Sequence, residues 1–224
     1  MYFRLIEEPR SGALGYLLAD PRTLDAVVID PPAGQDALIR ALLAERELRL
    51  CYVARTHVHQ PDLAGCAALC ARSGAVCVSG TMAGVAADVL RVGHGGTLAF
   101  GDEVLHVLAT PGHTPGCISY RWRDRLFCGD VFDMGGCAAG DGEADPGVLY
   151  DTLTQRVFTL PGETLLFPAH RLQGRTVSCV TEERGRYARA FGTSRESFLT
   201  AMAIRQPGQT RTAEEGGGDA GEAG

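Results

Sequence analysis

Thr110-Pro111-Gly112-His113-Thr114-Pro115-Gly116 follows residues 103–109, an apolar run that reads as a strand. Proline and glycine on both sides of the histidine fix a tight loop. That loop presents one imidazole just past a strand end. Three other segments share this placement. Thr56-His57-Val58-His59 follows a strand at 50–54. Residues i and i+2 of an extended backbone point the same way, so both imidazoles can face one ion. Cys128-Gly129-Asp130 puts a carboxylate at the end of a strand at 125–128, and Phe167-Pro168-Ala169-His170 puts a histidine past a strand at 164–167. These segments hold four of the six histidines, all at strand-to-loop junctions, which is the pattern of a metal site. His94, beside two glycines, and His106, inside a strand, read as ordinary surface or core residues.

Outward from these segments, short apolar runs rich in Val, Leu and Ile alternate with turns. Strands are expected at 15–19, 26–29, 50–54 and 75–79, with helices at 35–48 and 62–72. The second half repeats the theme, with strands at 97–100, 103–109, 117–122, 125–128 and 164–167. Asp145-Pro146 is a cap followed by proline in the first turn, and it opens a helix running to about 159. Thr193-Ser194-Arg195-Glu196 is a capping box for a C-terminal helix. Two sets of strands, each followed by helices, suit two sheets packed face to face with helices outside. From Gln206 onward the chain is polar and glycine-rich, so 206–224 is expected as a disordered tail behind one domain, 1–205.

Composition narrows the function. The 224 residues are 45% hydrophobic and 21% charged, ordinary for one globular domain. A net charge of -6 argues against nucleic acid or an anionic membrane as partner. No apolar run approaches the ~20 residues a membrane span needs. The first eight residues lack a signal-peptide pattern, so a cytoplasmic protein with reduced thiols is expected, despite eight cysteines. Cys51, Cys77 and Cys128 sit in apolar runs and read as small core residues.

The order and wording of the four segments resemble the metallo-β-lactamase superfamily, whose signature is T-H-x-H-x-D-H, then a His, an Asp and a final His. An α/β fold, the αββα sandwich, is what that resemblance implies. The likeness narrows to the persulfide dioxygenases, also called sulfur dioxygenases or ethylmalonic encephalopathy protein-like proteins. It is carried by Tyr16–Pro21, Val28-Ile29-Asp30-Pro31, Thr110–Cys117, Phe158–Gly162, Pro168-Ala169-His170, Thr176-Val177-Ser178 and Glu182-Glu183-Arg184. In that family one Fe(II) is held at the positions of His57, His113 and Asp130, which also makes them the catalytic set. Two imidazoles and a carboxylate form the facial triad of non-heme iron oxygenases, with positions left open for substrate and O₂. The implied reaction takes a glutathione-type or other persulfide and O₂ to sulfite and thiol. Zinc is the alternative ion. His59, His170 and Asp62 are candidate additional ligands, and Thr114, Cys137, Asp141 and Arg189 are candidate substrate contacts. A homodimer is left open.

The chain also departs from the family. After His59 it reads Gln60-Pro61-Asp62, so the D-H pair is lost, and Arg171 stands where Asp usually follows the final His. A dinuclear hydrolase site is therefore disfavoured. The arginine of the family segment G-C-G-R-T-D is Ala139 here, the tyrosine after the final His motif is Leu172, and Arg55 replaces an Asp before T-H-x-H. These changes suggest weaker glutathione binding or another persulfide. Two alternatives stand beside the dioxygenase. One is a zinc thioester hydrolase similar to glyoxalase II, which would depend on His59; the other is a degenerate, non-catalytic relative.

Overall fold

The structure is a computed structural model, and it describes residues 2–58, 63–83, 88–132 and 144–205. Among these residues the strands form two six-stranded sheets. The first runs in order β1 (Tyr2–Glu8), β2 (Ala13–Ala19), β3 (Asp25–Ile29), β4 (Arg49–Ala54), β5 (Val76–Gly80) and β6 (Leu90–Val92). The second contains β7 (Thr97–Phe100), β8 (Glu103–Ala109), β9 (Ile118–Trp122), β10 (Arg125–Gly129), β11 (Leu165–Pro168) and β12 (Ser178–Cys179), again side by side in chain order. Hairpins pair antiparallel, whereas β3 to β6 and β10 with β11 pair parallel. Parallel neighbours need crossovers, and helices lie in three of them, the β10-to-β11 crossover carrying the helix that starts at Pro146. The other two are α1 (Asp36–Glu45) between β3 and β4, and α2 (Leu63–Ser73) between β4 and β5.

Period-two alternation explains the four layers. Leu14, Tyr16 and Leu18 of β2 and Val27 and Ile29 of β3 point between the sheets, where they meet Leu105, Tyr120, Trp122 and Phe127. Their neighbours Leu17, Ala19, Ala26 and Val28 point outward onto Ile39 and Leu43 of α1 and Leu69 of α2. With both faces covered, β2 and β3 read as continuous apolar runs. The second sheet has the same plan. Its outward residues Leu126, Cys128 and Leu166 pack under α3 (Pro146–Thr152), α4 (Val180–Phe191) and α5 (Arg195–Arg205). The αββα sandwich expected from the sequence is therefore the fold. Among the described residues no helix is long and apolar enough to cross a membrane.

Several expectations are corrected in detail. The helix opened at Asp145 keeps its cap, with the carboxylate accepting from Val148 N at 3.0 Å, but after Thr152 it passes into a π-helical turn, Leu153–Val157. The last helix is capped one residue later than expected: Ser194 Oγ, not Thr193, accepts from Ser197 N at 3.1 Å. Strands β1, β6 and β12 and helix α4 were not expected. The thiols are not all reduced. Cys70 on α2 and Cys77 on β5 have Cα atoms 6.1 Å apart, within bridging range, and are joined as a disulfide. Cys51 and Cys77 are half-buried, while Cys128 is a core residue as expected. The stretch 206–224 lies outside the described residues.

Candidate metal centre

The loop at 110–116 is held from below by α3 and its continuation. Asp145 N donates to Gly112 O at 2.8 Å, Thr152 Oγ1 donates to Pro111 O at 2.7 Å, and Arg156 donates to Ala109 O. Gly112 has φ +130°, and a Cβ there would lie 2.5 Å from Leu149 Cα, so only glycine lets the loop sit on the helix. This seat buries His113 to 1% exposure. His57 arrives from the other sheet, after β4, and Ile118 N donates to Thr56 O at 2.8 Å to bind the two sheets at this point. Asp130 follows β10, whose register with β11 shifts between Phe127 and Gly129.

These three side chains converge. Asp130 Oδ2 lies 3.3 Å from His57 Nε2 and 3.7 Å from His113 Nε2. The two rings stand edge to face, 5.3 Å apart. One donor atom from each residue falls within 4.8 Å of the others, close enough to share one cation. All three are buried, so the charge they hold is poorly screened. Burial alone would push the Asp130 carboxyl up. The hydrogen bond from His170 and the neighbouring His57, His170 and His113 outweigh it and hold the group well below the usual carboxylate range. An ionised carboxylate with two imidazoles is a suitable donor set for a divalent transition metal.

A chain of hydrogen bonds selects the ligating atom of His57. The Asp30 carboxylate accepts from Thr56 N at 2.8 Å and from Thr56 Oγ1 at 2.7 Å. The single hydroxyl proton of Thr56 is then committed, so Thr56 Oγ1 accepts from His57 Nδ1 at 3.0 Å. The ring proton sits on Nδ1, and Nε2 keeps its lone pair toward Asp130. Gly129 lets Thr56 come this close: it has φ +58°, and a Cβ would meet Thr56 Oγ1 at 2.5 Å. Sequence reasoning took Asp30 and Thr56 only as parts of matching segments and missed this role. The signal available was a buriable acid and hydroxyl placed just before the first histidine.

The remaining candidates fall in varied places. His170 Nδ1 lies 3.0 and 2.8 Å from the two oxygens of Asp130, so it donates to that carboxylate and braces it. Thr114 is buried, and its hydroxyl and amide both lie 3.2 Å from Cys117 Sγ. Burial pushes the Cys117 thiol up to about 11, against the Thr114 contacts, so it is neutral at physiological pH. Arg189 is exposed in the last turn of α4. His59, Asp62, Cys137 and Asp141 lie outside the described residues. Arg171 forms a bidentate pair with Glu7 of β1, at 2.7 and 2.8 Å, and also donates to Gly174 O. Arg55 is 3.8 Å from Asp30 and partly offsets the burial that raises that acid.

A two-sheet sandwich with two histidines and an aspartate at the ends of its strands defines a metallo-β-lactamase-fold metalloprotein. The likeness to a metallo-β-lactamase from Staphylococcus aureus agrees: TM-score 0.70 over 92% of this chain and 72% of that one, at 20% identity. No family model matches the chain. The mouse mitochondrial persulfide dioxygenase ETHE1 is 38% identical over 208 residues, 89% of this chain and 79% of the relative. The crystal structure of ETHE1 from Myxococcus xanthus superposes with TM-score 0.80 at 38% identity, covering 91% of this chain and 90% of that one. A hydroxyacylglutathione hydrolase from a Synechococcus strain matches less of the chain, 34% identity over 69% of it. The chain belongs to the persulfide dioxygenase family.

Proposed function

We propose that this protein is a mononuclear non-heme iron persulfide dioxygenase. The reaction is R–S–SH + O₂ + H₂O → R–SH + SO₃²⁻ + 2 H⁺, and R is glutathione or another low-molecular-weight thiol. The observation that carries it is the donor set: His57, His113 and Asp130 converge from two sheets in a family named for this activity. Those three residues would hold one Fe(II), which supplies open coordination positions and electrons for O₂. The protein's own part is orientation and charge. Thr56 and Asp30 hold His57 in the ligating tautomer, His170 braces the Asp130 carboxylate, Gly112 lets the His113 loop sit on α3, and Gly129 lets Thr56 approach. Burial of the triad keeps bulk water from competing for it. Substrate recognition falls to Arg189 and to Thr114, Cys137 and Asp141. With Ala139 and Leu172 at two family positions, glutathione is expected to bind more weakly than in the family at large.

The hydrolase reading is less favoured. It needs a dinuclear site, Pro61 removes one of its ligands, and Arg171 at the last motif is engaged by Glu7. The test is O₂ uptake by Fe(II)-loaded protein given glutathione persulfide. Uptake with sulfite formation, lost in His113→Ala, is the expected result. No uptake by protein shown to hold stoichiometric iron, across several persulfides, would rule the proposal out.

A further inference from the structure

Away from this centre the structure gathers a second set of metal-binding atoms. Cys66 and Cys70 are one helical turn apart on α2, and Cys77 faces them from β5. The three sulfurs lie within 4.8 Å of one another. Cys66 Sγ is 3.8 Å from Cys77 Sγ, while Cys70 and Cys77 are joined. All three line a cavity of about 450 Å³, together with Arg55, Val58 and Ser79. Among the described residues, two polar atoms there have no hydrogen-bond partner: Ser79 Oγ, in a residue 1% exposed, and Arg55 Nε. A buried hydroxyl without a partner is costly, and a ligand in the cavity would satisfy it.

We infer that Cys66, Cys70 and Cys77, once reduced, form a second metal site that binds a thiophilic d¹⁰ cation such as Zn²⁺, Cd²⁺ or Cu⁺. Soft thiolates select such ions over the hard cations that carboxylates prefer. Burial raises the Cys66 thiol, with Arg55 acting against it, so that thiol is protonated and a poor nucleophile. A cation bound by thiolates displaces the thiol protons. Three thiolates around a divalent ion leave one net negative charge, which the Arg55 guanidinium faces across the same cavity. The cavity also has room for a water on the ion's fourth position. The disulfide and the metal-bound form are alternatives for the same sulfurs. Passing from the first to the second needs a dithiol reductant, which gives two electrons and two protons and closes to its own cyclic disulfide. The cation then binds as three protons leave.

The probe is Cd²⁺, titrated anaerobically into iron-loaded protein that has been reduced with a dithiol and desalted. One equivalent should bind with sulfur-to-cadmium charge-transfer absorption in the ultraviolet. That band should be absent from protein with the disulfide intact, lost in Cys66→Ser and in Cys77→Ser, and kept in His113→Ala. Should a serine variant fail to fold, the cadmium X-ray absorption of wild-type protein decides instead: a shell of three sulfurs supports the site. A reduced protein with no such band, a band that survives both serine substitutions, or a shell of nitrogen and oxygen would overturn it.

Discussion

At the scale of single residues, the centre depends on groups that never reach its donor cluster. Thr56 gives its only hydroxyl proton to Asp30 and so accepts from His57. Thr56→Val keeps the shape and removes the relay, and iron affinity should fall about 10–100-fold. Thr56→Ser should restore most of it; metal titration of the three proteins checks this. A Val variant that binds iron like wild type would show that His57 needs no support. Gly129→Ala is harsher, since the new Cβ meets Thr56 Oγ1 at 2.5 Å and the backbone is already left-handed. It should lose about 1–3 kcal/mol in denaturant unfolding and bind iron poorly. The four segments that build the centre were legible in the sequence because each pairs a metal-type side chain with a strand end. The relay was not, because nothing in the spacing of Asp30 and Thr56 says that their side chains meet.

At the scale of elements, strands flanked by glycine and proline were legible and polar-edged ones were not. β2 to β5 and β7 to β11 carry apolar runs. β1 carries Arg4, Glu7 and Glu8, and β12 is two residues long, so neither shows a period. Helix α4 hid behind its charges: Glu182, Glu183, Arg184, Arg186 and Arg189 leave only Val180, Tyr187 and Phe191 as apolar residues in its buried stripe. The stretch Thr176–Arg184, which matches the family, does structural work at this joint. Ser178 donates to the buried Glu183, and Arg175 pairs with the same carboxylate at 3.2 Å. Arg171 likewise belongs to the architecture, tying the loop after β11 to β1 through Glu7. Both side chains of that pair are partly exposed, so the pair stabilises weakly. Arg171→Ala should cost under about 1 kcal/mol by urea denaturation and leave kcat for persulfide oxidation unchanged. A large fall in kcat at unchanged stability would place Arg171 in the chemistry instead.

At the scale of the whole molecule, the centre lies where the two sheets meet. His57 extends from the first sheet, and His113 and Asp130 extend from the second. An ion held by all three therefore joins the two sheets, and it does so only in the folded state, because the ligands are 73 residues apart in sequence from His57 to Asp130. Binding to the native state alone adds stability by mass action, about 2.7 kcal/mol when free metal is a hundredfold above Kd. For a domain of this size, each kcal/mol moves Tm by roughly 2–4 °C, so the gain is about 5–10 °C. Chelation of the metal from loaded protein should therefore lower Tm by that amount, and re-addition should restore it. In Asp130→Asn the carboxylate charge is gone, and chelation should shift Tm far less. An equal shift in that variant would mean that the stabilising ion sits elsewhere, and the reduced Cys66, Cys70 and Cys77 cluster is where the search would turn, since it too joins a helix to a strand.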